Sequence, residues 1–247
     1  MIPRSRPARP EGPRAGYHSW QKLSFLHWEV PVSILQGRVH PSLTIDTFEG
    51  RAFIGLVAFT MKDIQLRGLP KVPTMTNFHE TNVRTYVHYK GQNPGVWFFS
   101  LDAASKLCVL GARATYHLPY HFADMHLREE GQRIHYHSDR KWPKPAPASC
   151  DLVVERGREA PAPAAPGSLE EFLCERYLLY SEKNGALYRG QVFHEPYPLT
   201  SAATTRVEPG LLSALSLHDE PWGAPMSTLY SAGVSVDVFA IDKVEAR

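Results

Sequence analysis

Between residues 78 and 123 the apolar and polar positions change places in short runs that suit strands. Over 80–89 the alternation has period two: Glu80, Asn82, Arg84, Tyr86 and His88 share one face, and Val83, Thr85, Val87 and Tyr89 share the other. The turn residues KGQNPG at 90–95 follow, then strand-like composition at 96–101 and again at 107–118. The connections are short enough for hairpins, which predicts an antiparallel meander.

Elsewhere the pattern predicts a helix over 20–28, where Trp20, Leu23, Phe25, Leu26 and Trp28 recur behind a candidate N-cap at Ser19 and ahead of Pro31. Ile34 and Leu35 add a further turn. Strands are expected at 43–46 and 51–61, separated by Phe48-Glu49-Gly50, with the second almost wholly apolar and therefore central. Gly68, Pro70 and Pro73 mark a loop. Strands at 132–137 and 151–155 flank a proline-studded turn, and 159–167, EAPAPAAPG, reads as a solvated connection. Ser168 and Glu171 form an S-x-x-E capping box that opens a helix carrying Leu169, Phe172, Leu173, Arg176, Tyr177 and Tyr180. Strands at 187–193 and 234–241 complete the pattern, which contains no internal repeat. Many short strands with two or three helices predict a mainly β chain: one large antiparallel barrel-like domain over 18–247 behind a flexible basic and proline-rich tail at 1–17. A barrel of this size leaves room for a small molecule inside.

Composition narrows the function classes. Twenty-seven basic against 25 acidic side chains leave a net charge of +2, which gives no footprint for nucleic acid. The apolar run 52–61 is too short to span a bilayer and ends at Lys62 and Asp63, so no membrane partner is expected. The N-terminus has four arginines among prolines but no apolar signal region, and a cytoplasmic protein is expected. Cys108, Cys150 and Cys174 are odd in number and widely separated, which suits reduced thiols. Assembly into a homo-oligomer is left open.

The row Glu80, Asn82, Arg84 and Tyr86 offers a carboxylate, an amide and a guanidinium that can grip a carboxylate with two donors. It equally suits an internal charge pair, Glu80 with Arg84, or Arg84 with Glu49 or Asp102. In ARATYHLPYHFA, Arg113, Tyr116, Tyr120 and His121 cluster around Pro119, which ends or bulges the strand. His121 has the ordinary acid–base range of histidine, with a structural role as the plainer alternative. Trp97, Phe98 and Phe99 suit core, or a wall for a ligand. His117, His121, His126, His135 and His137 raise a metal site, but no H-E-x-x-H motif accompanies them, and neither metal nor cofactor is assigned. Ser100 and Asp102 lack the G-x-S-x-G surroundings of a hydrolase nucleophile.

Four stretches carry a resemblance: W-x-x-L-x-F-L-H-W at 20–28, E-x-N-V-R-T-Y-V at 80–87, G-V-W-F-F-S-L-D at 95–102 and F-L-x-E-R-Y at 172–177, joined by H-E-P-Y-P-L at 194–199. In them the chain resembles the uncharacterised, bacterial YqjF-like family. That family is similar in turn to acetoacetate decarboxylase, a large antiparallel barrel whose lysine forms a Schiff base with a β-keto acid. The decarboxylase motif resembles A-R-E-x-W-G-F-P-K-K-x-A. Here Ala112, Arg113, Pro119 and Ala123 are kept, while the nucleophilic lysine falls on Tyr120 and its cationic neighbour on His121. Glu80 matches a glutamate of the decarboxylase cavity. The resemblance thus implies the barrel and its pocket without the imine chemistry, unless Lys62 or Lys106 approaches from another strand. It suggests a small oxo- or carboxylate-bearing ligand held by Glu80, Asn82, Arg84, Tyr86, Trp97, Arg113 and Tyr116. The alternatives are a lysine-independent lyase, isomerase or hydrolase using Tyr120 and His121 as acid–base groups, and an interaction protein with a filled interior.

Overall fold

A computed structural model describes residues 6–68, 76–143, 148–217 and 222–245. The strands are β1 (Gly16–Glu29), β2 (Leu43–Ile45), β3 (Phe53–Leu66), β4 (Phe78–Tyr89), β5 (Gln92–Ala103), β6 (Tyr120–Glu130), β7 (Arg133–Trp142), β8 (Ser149–Arg156), β9 (Leu178–Lys183), β10 (Ala186–His194), β11 (Leu199–Glu208), β12 (Ser227–Val238) and β13 (Asp242–Lys243). Among the described residues these helices accompany them: α1 (Val32–Gln36), α2 (Lys106–Thr115), α3 (Leu169–Cys174) and α4 (Gly210–Ser213). The loop residues Pro70 and Pro73 and most of the proline-studded turn before Ser149 lie outside the described residues.

Pairing in the order β1-β3-β4-β5-β6-β7-β8-β11-β12 returns to β1 and closes a barrel. Strands β9 and β10 bridge β5 to β12 and make a second, smaller closure on the same wall. Two cores result. On one face of the wall Leu26, Ile54, Leu56, Val83 and Val87 meet Ile134, Tyr136, Leu152 and Val154 of β7 and β8. On the other, Leu23, Phe25, Phe53, Val57, Tyr86 and Leu101 meet Tyr120, Phe172, Tyr197 and Val236. Period two along β3 and β4 assigns alternate residues to the two cores, so both faces are buried over 53–61 of β3 and most of β4.

Residues 20–28 are strand, not helix. β1 changes register between Gln21 and Ser24, and Lys22 lies in the left-handed region at φ 57°. One extra residue at that bulge shifts the apolar phase, so Trp20, Leu23 and Phe25 face one core and Leu26 and Trp28 the other. A phase shift within a period-two pattern imitates a helical period. Residues 107–118 err the other way: Ser105 accepts the Cys108 N–H and opens α2, which buries Val109 but leaves Leu107 and Leu110 52% exposed. A composition suited to a strand is here a half-covered surface helix, which carries the chain between the parallel neighbours β5 and β6. A second parallel pairing joins β5 to β9.

The Ser168 cap forms, its hydroxyl accepting the Glu171 N–H at 3.2 Å, while the Glu171 carboxylate takes the Gly167 N–H at 2.6 Å. The helix stops at Cys174, however, and residues 178–183 become β9. Gly95 allows this change, because a Cβ there would lie 2.7 Å from the Leu178 carbonyl oxygen. The arginine-rich N-terminal stretch runs along the barrel from residue 6. Arg6 makes a double hydrogen bond to Glu195 at 2.8 Å, and Arg9 and Arg14 both reach Asp237. Among the described residues no helix is long and apolar enough to cross a membrane.

Candidate functional site

Strand β4 directs Glu80, Asn82, Arg84 and Tyr86 into the core beneath β9, β10 and α3, and all four are buried. Pro119 ends the loop after α2, and Tyr120 is the first residue of β6, paired with Leu101 of β5, which pairs in turn with Asn82 of β4. That register brings the Tyr120 ring over the β4 row. Its hydroxyl donates to Glu80 at 2.9 Å. Asn82 also hydrogen-bonds Glu80, and its own Oδ1 has no partner among the described residues. Burial outweighs these bonds and pushes the Glu80 carboxyl up to about 7. Burial also raises Tyr120 well above the usual phenol range, reinforced by the Glu80 carboxylate, so the phenol keeps its proton.

Arg84 does not pair with Glu80. One nitrogen donates to the Leu173 carbonyl at 3.2 Å, Nε has no hydrogen-bond partner among the described residues, and the guanidinium sits 5.8 Å from the ring centres of both Phe25 and Tyr86. Among the described residues no carboxylate lies within ion-pair distance of it. Glu49 pairs instead with Arg51, and Asp102 with Arg140. A guanidinium only 8% exposed whose partners among the described residues are the Leu173 carbonyl and the Tyr86 hydroxyl, with no carboxylate, is incompletely matched.

The Tyr86 hydroxyl donates to the same Leu173 carbonyl at 2.8 Å and meets His27 Nε2 at 2.8 Å. With the Tyr86 proton committed to the carbonyl, His27 Nε2 carries the donating hydrogen. Burial first, and the Arg84 charge second, hold His27 well below the ordinary histidine range. Across the core His194 stacks on Tyr177 at 4.6 Å and touches Tyr197 at 4.6 Å, and burial lowers it to about 4. His27, His194, Tyr197 and the Leu173 carbonyl were not among the candidates read from the sequence. His27 lay in a stretch that read as helix, and the H-E-P-Y-P-L motif was the available signal for His194 and Tyr197.

The remaining candidates are dispersed. His121 points to the opposite face of β6 from Tyr120, with Nδ1 3.9 Å from Asp102, which is held by three hydrogen bonds from Arg140. Burial and the charges of Arg140 and Arg113 lower His121 to about 4. Trp97 packs against the other core. Arg113 on α2 donates to the Tyr120 carbonyl at 2.6 Å, and Tyr116 donates to the Phe239 carbonyl at 3.2 Å. The histidines weighed as metal ligands do not converge: His137 bonds Asp151, His135 faces Glu130, and His117 packs on Tyr188. Among the described residues no three His, Cys, Asp or Glu side chains are grouped to hold a metal.

The architecture is that of the acetoacetate decarboxylase-like barrels. An acetoacetate decarboxylase from Legionella pneumophila superposes with a TM-score of 0.65 at 12% identity, covering 98% of this chain and 94% of that one. The enduracididine biosynthesis enzyme MppR, complexed with pyruvate, gives 0.65 at 11% identity over 96% of this chain and 93% of that one. Identities this low establish the fold alone. The family follows from sequence: residues 17–235 match DUF2071, described as an uncharacterized conserved protein, and the chain belongs to that family. It is also 42% identical over 193 residues to the uncharacterized protein YqjF of Bacillus subtilis strain 168, covering 78% of each chain.

Proposed function

We propose that the protein binds a small carboxylate or oxo acid in the core lined by β4, with Arg84 as partner of the anionic group and Glu80 and Tyr120 facing the rest of the molecule. The observation that carries this reading is the burial of Arg84 without a carboxylate counterion among the described residues. Arginine presents donors on a rigid fork that matches a carboxylate, and here the Leu173 carbonyl and the Tyr86 hydroxyl use only part of that capacity. The pyruvate complex of a protein with the same fold supports oxo acids as the first compounds to try.

Imine chemistry is not part of the proposal. Tyr120 stands where the resemblance places the lysine, and a phenol cannot form a Schiff base. Among the described residues no lysine lies within hydrogen-bond or ion-pair reach of Glu80, Tyr120 or Arg84; the Lys106 ammonium stands over the Phe122 ring at 4.9 Å. Borohydride treatment with pyruvate or acetoacetate is therefore expected to leave the mass of the protein unchanged.

A second reading, turnover of an oxo or enol compound, is favoured by one observation: the Tyr120 hydroxyl donates at 2.9 Å to a buried Glu80 carboxyl, which burial pushes up to about 7 beside a phenol that keeps its proton. A carboxyl balanced at that pH can take up or release a proton as general base or acid, with Tyr120 donating to a developing oxyanion. The pair that supports acid–base chemistry is then Glu80 with Tyr120, in place of Tyr120 with His121.

A thermal-shift series of small carboxylates and oxo acids tests the binding reading. Stabilisation by RT ln(1 + [L]/Kd) is expected in the parent and a smaller one in Arg84→Ala. Equal shifts in both would take Arg84 out of the site.

A further inference from the structure

Strand β5 forks. β9 pairs with it at Gly95–Trp97 and β6 at Leu101–Ala103, so the two neighbours leave the same edge in different directions. The fork opens to the surface as a groove of about 560 Å³, away from Glu80 and Arg84. Its floor is aromatic: Trp97 and Phe99 are half-buried, with Tyr180 beside them. Its rim is cationic, with Arg38, Arg113 and Lys183 against a single carboxylate, Glu182.

The two arginines are held in place without being neutralised. Arg38 donates to the Leu215 carbonyl at 2.7 Å and Arg113 to the Tyr120 carbonyl at 2.6 Å. A guanidinium carries five donors, so each keeps most of its capacity. None of the three cations has an ion-pair partner among the described residues. Ser181, which lines the groove and is only 3% exposed, has a hydroxyl without a hydrogen-bond partner among the described residues.

We propose that this groove is a binding site, separate from the Arg84 core, for a small molecule with a flat apolar body and one carboxylate. The aromatic floor takes the body by stacking and area burial. The rim takes the anion, and the volume falls in the range of small-molecule sites. Glu182 opposes a second negative charge, which selects a monoanion over a polyanion. Arg113 joins the rim of the groove to the backbone of Tyr120, the residue whose hydroxyl reaches the interior.

The probe is 4-fluorophenylacetate, titrated into the full chain and followed by fluorine NMR, with 4-fluorophenylacetamide as its uncharged counterpart. Saturable binding of the acid is expected, at least about tenfold tighter than the amide. Arg38→Glu and Lys183→Glu, folded by near-ultraviolet circular dichroism, are each expected to weaken binding several-fold. The accompanying change in tryptophan emission is expected to vanish in Trp97→Phe. Absence of saturable binding, equal binding of acid and amide, or loss in Arg84→Ala with the groove variants unaffected would each overturn the proposal. The last outcome would move the ligand into the core and leave the Arg84 reading standing.

Discussion

The Tyr120 hydroxyl donates a 2.9 Å hydrogen bond to Glu80, and the pair is buried between β4 and β6, with the tyrosine only 8% and the glutamate 2% exposed. The two groups respond to the same burial in opposite practical ways. The phenol is pushed far above neutrality and stays a donor, while the carboxyl is raised to about 7 and becomes the group that titrates. Proton exchange at neutral pH is therefore a property of Glu80.

The first prediction follows from linkage. Between the ordinary carboxyl range and about 7 the folded chain holds a proton on Glu80 that the unfolded chain has released, so stability falls as pH rises through this window. Over the full window the cost is about 3 kcal/mol. His27 and His194, whose folded values are lowered, act in the other direction and lose stability as pH falls below the ordinary histidine range. The contribution of Glu80 is therefore read as a difference. Glu80→Gln is expected to melt progressively higher relative to the parent from pH 5 to pH 8, and a pH-independent difference would remove Glu80 as the titrating group.

A second prediction concerns its partner. Tyr120→Phe removes a donor from a buried carboxyl, at a cost of ~1–3 kcal/mol where Glu80 is ionised. At pH 5 the protonated carboxyl depends less on that bond, and urea midpoints of parent and variant should converge. Denaturation at pH 5 and pH 8 makes the comparison.

The β4 row was legible because an uninterrupted period-two pattern assigns Glu80, Asn82, Arg84 and Tyr86 to one face without tertiary information. The barrel class was legible for the same reason, from many short runs between turn residues. What the pattern could not carry was a change of phase. The Lys22 bulge made β1 look helical, and with it His27 disappeared from the candidate list. β9 was hidden behind a sound capping box, because the point where α3 stops depends on β5 and the space at Gly95. Partnership was equally out of reach: Arg84 had three plausible carboxylates in sequence and has none in space, since Asp102 turns to Arg140 on the other face of β5.

The third prediction uses a residue with no side chain. A Cβ on Gly55 would lie 3.1 Å from both the Tyr86 hydroxyl oxygen and His27 Cδ2, so the glycine makes room for the contact that sets Tyr86 on the Leu173 carbonyl. Gly55→Ala must displace one ring or the other. A loss of ~1–3 kcal/mol in urea denaturation is expected from overpacking. The Arg84-dependent thermal shift with a bound carboxylate is expected to shrink as well, because Arg84 shares the same carbonyl.

The fourth prediction separates the two residues that adjoin in sequence at the start of β6. His121 is half-buried, neutral at physiological pH and turned toward Asp102 and Arg140, away from Glu80. Asp102 is fully buried and holds Arg140 through three hydrogen bonds. Asp102→Asn leaves the Arg140 guanidinium buried without its carboxylate and is expected to cost ~3–5 kcal/mol in denaturation. His121→Ala removes a partly exposed ring whose hydrogen bond runs only to the Pro119 backbone, and is expected to cost about 1 kcal/mol. For any turnover of an oxo acid, the same geometry requires Tyr120→Phe and Glu80→Gln to abolish the rate while His121→Ala retains it. A rate lost in His121→Ala with folding intact would restore the acid–base role to His121 and place the reacting atoms on the Asp102 side of the wall.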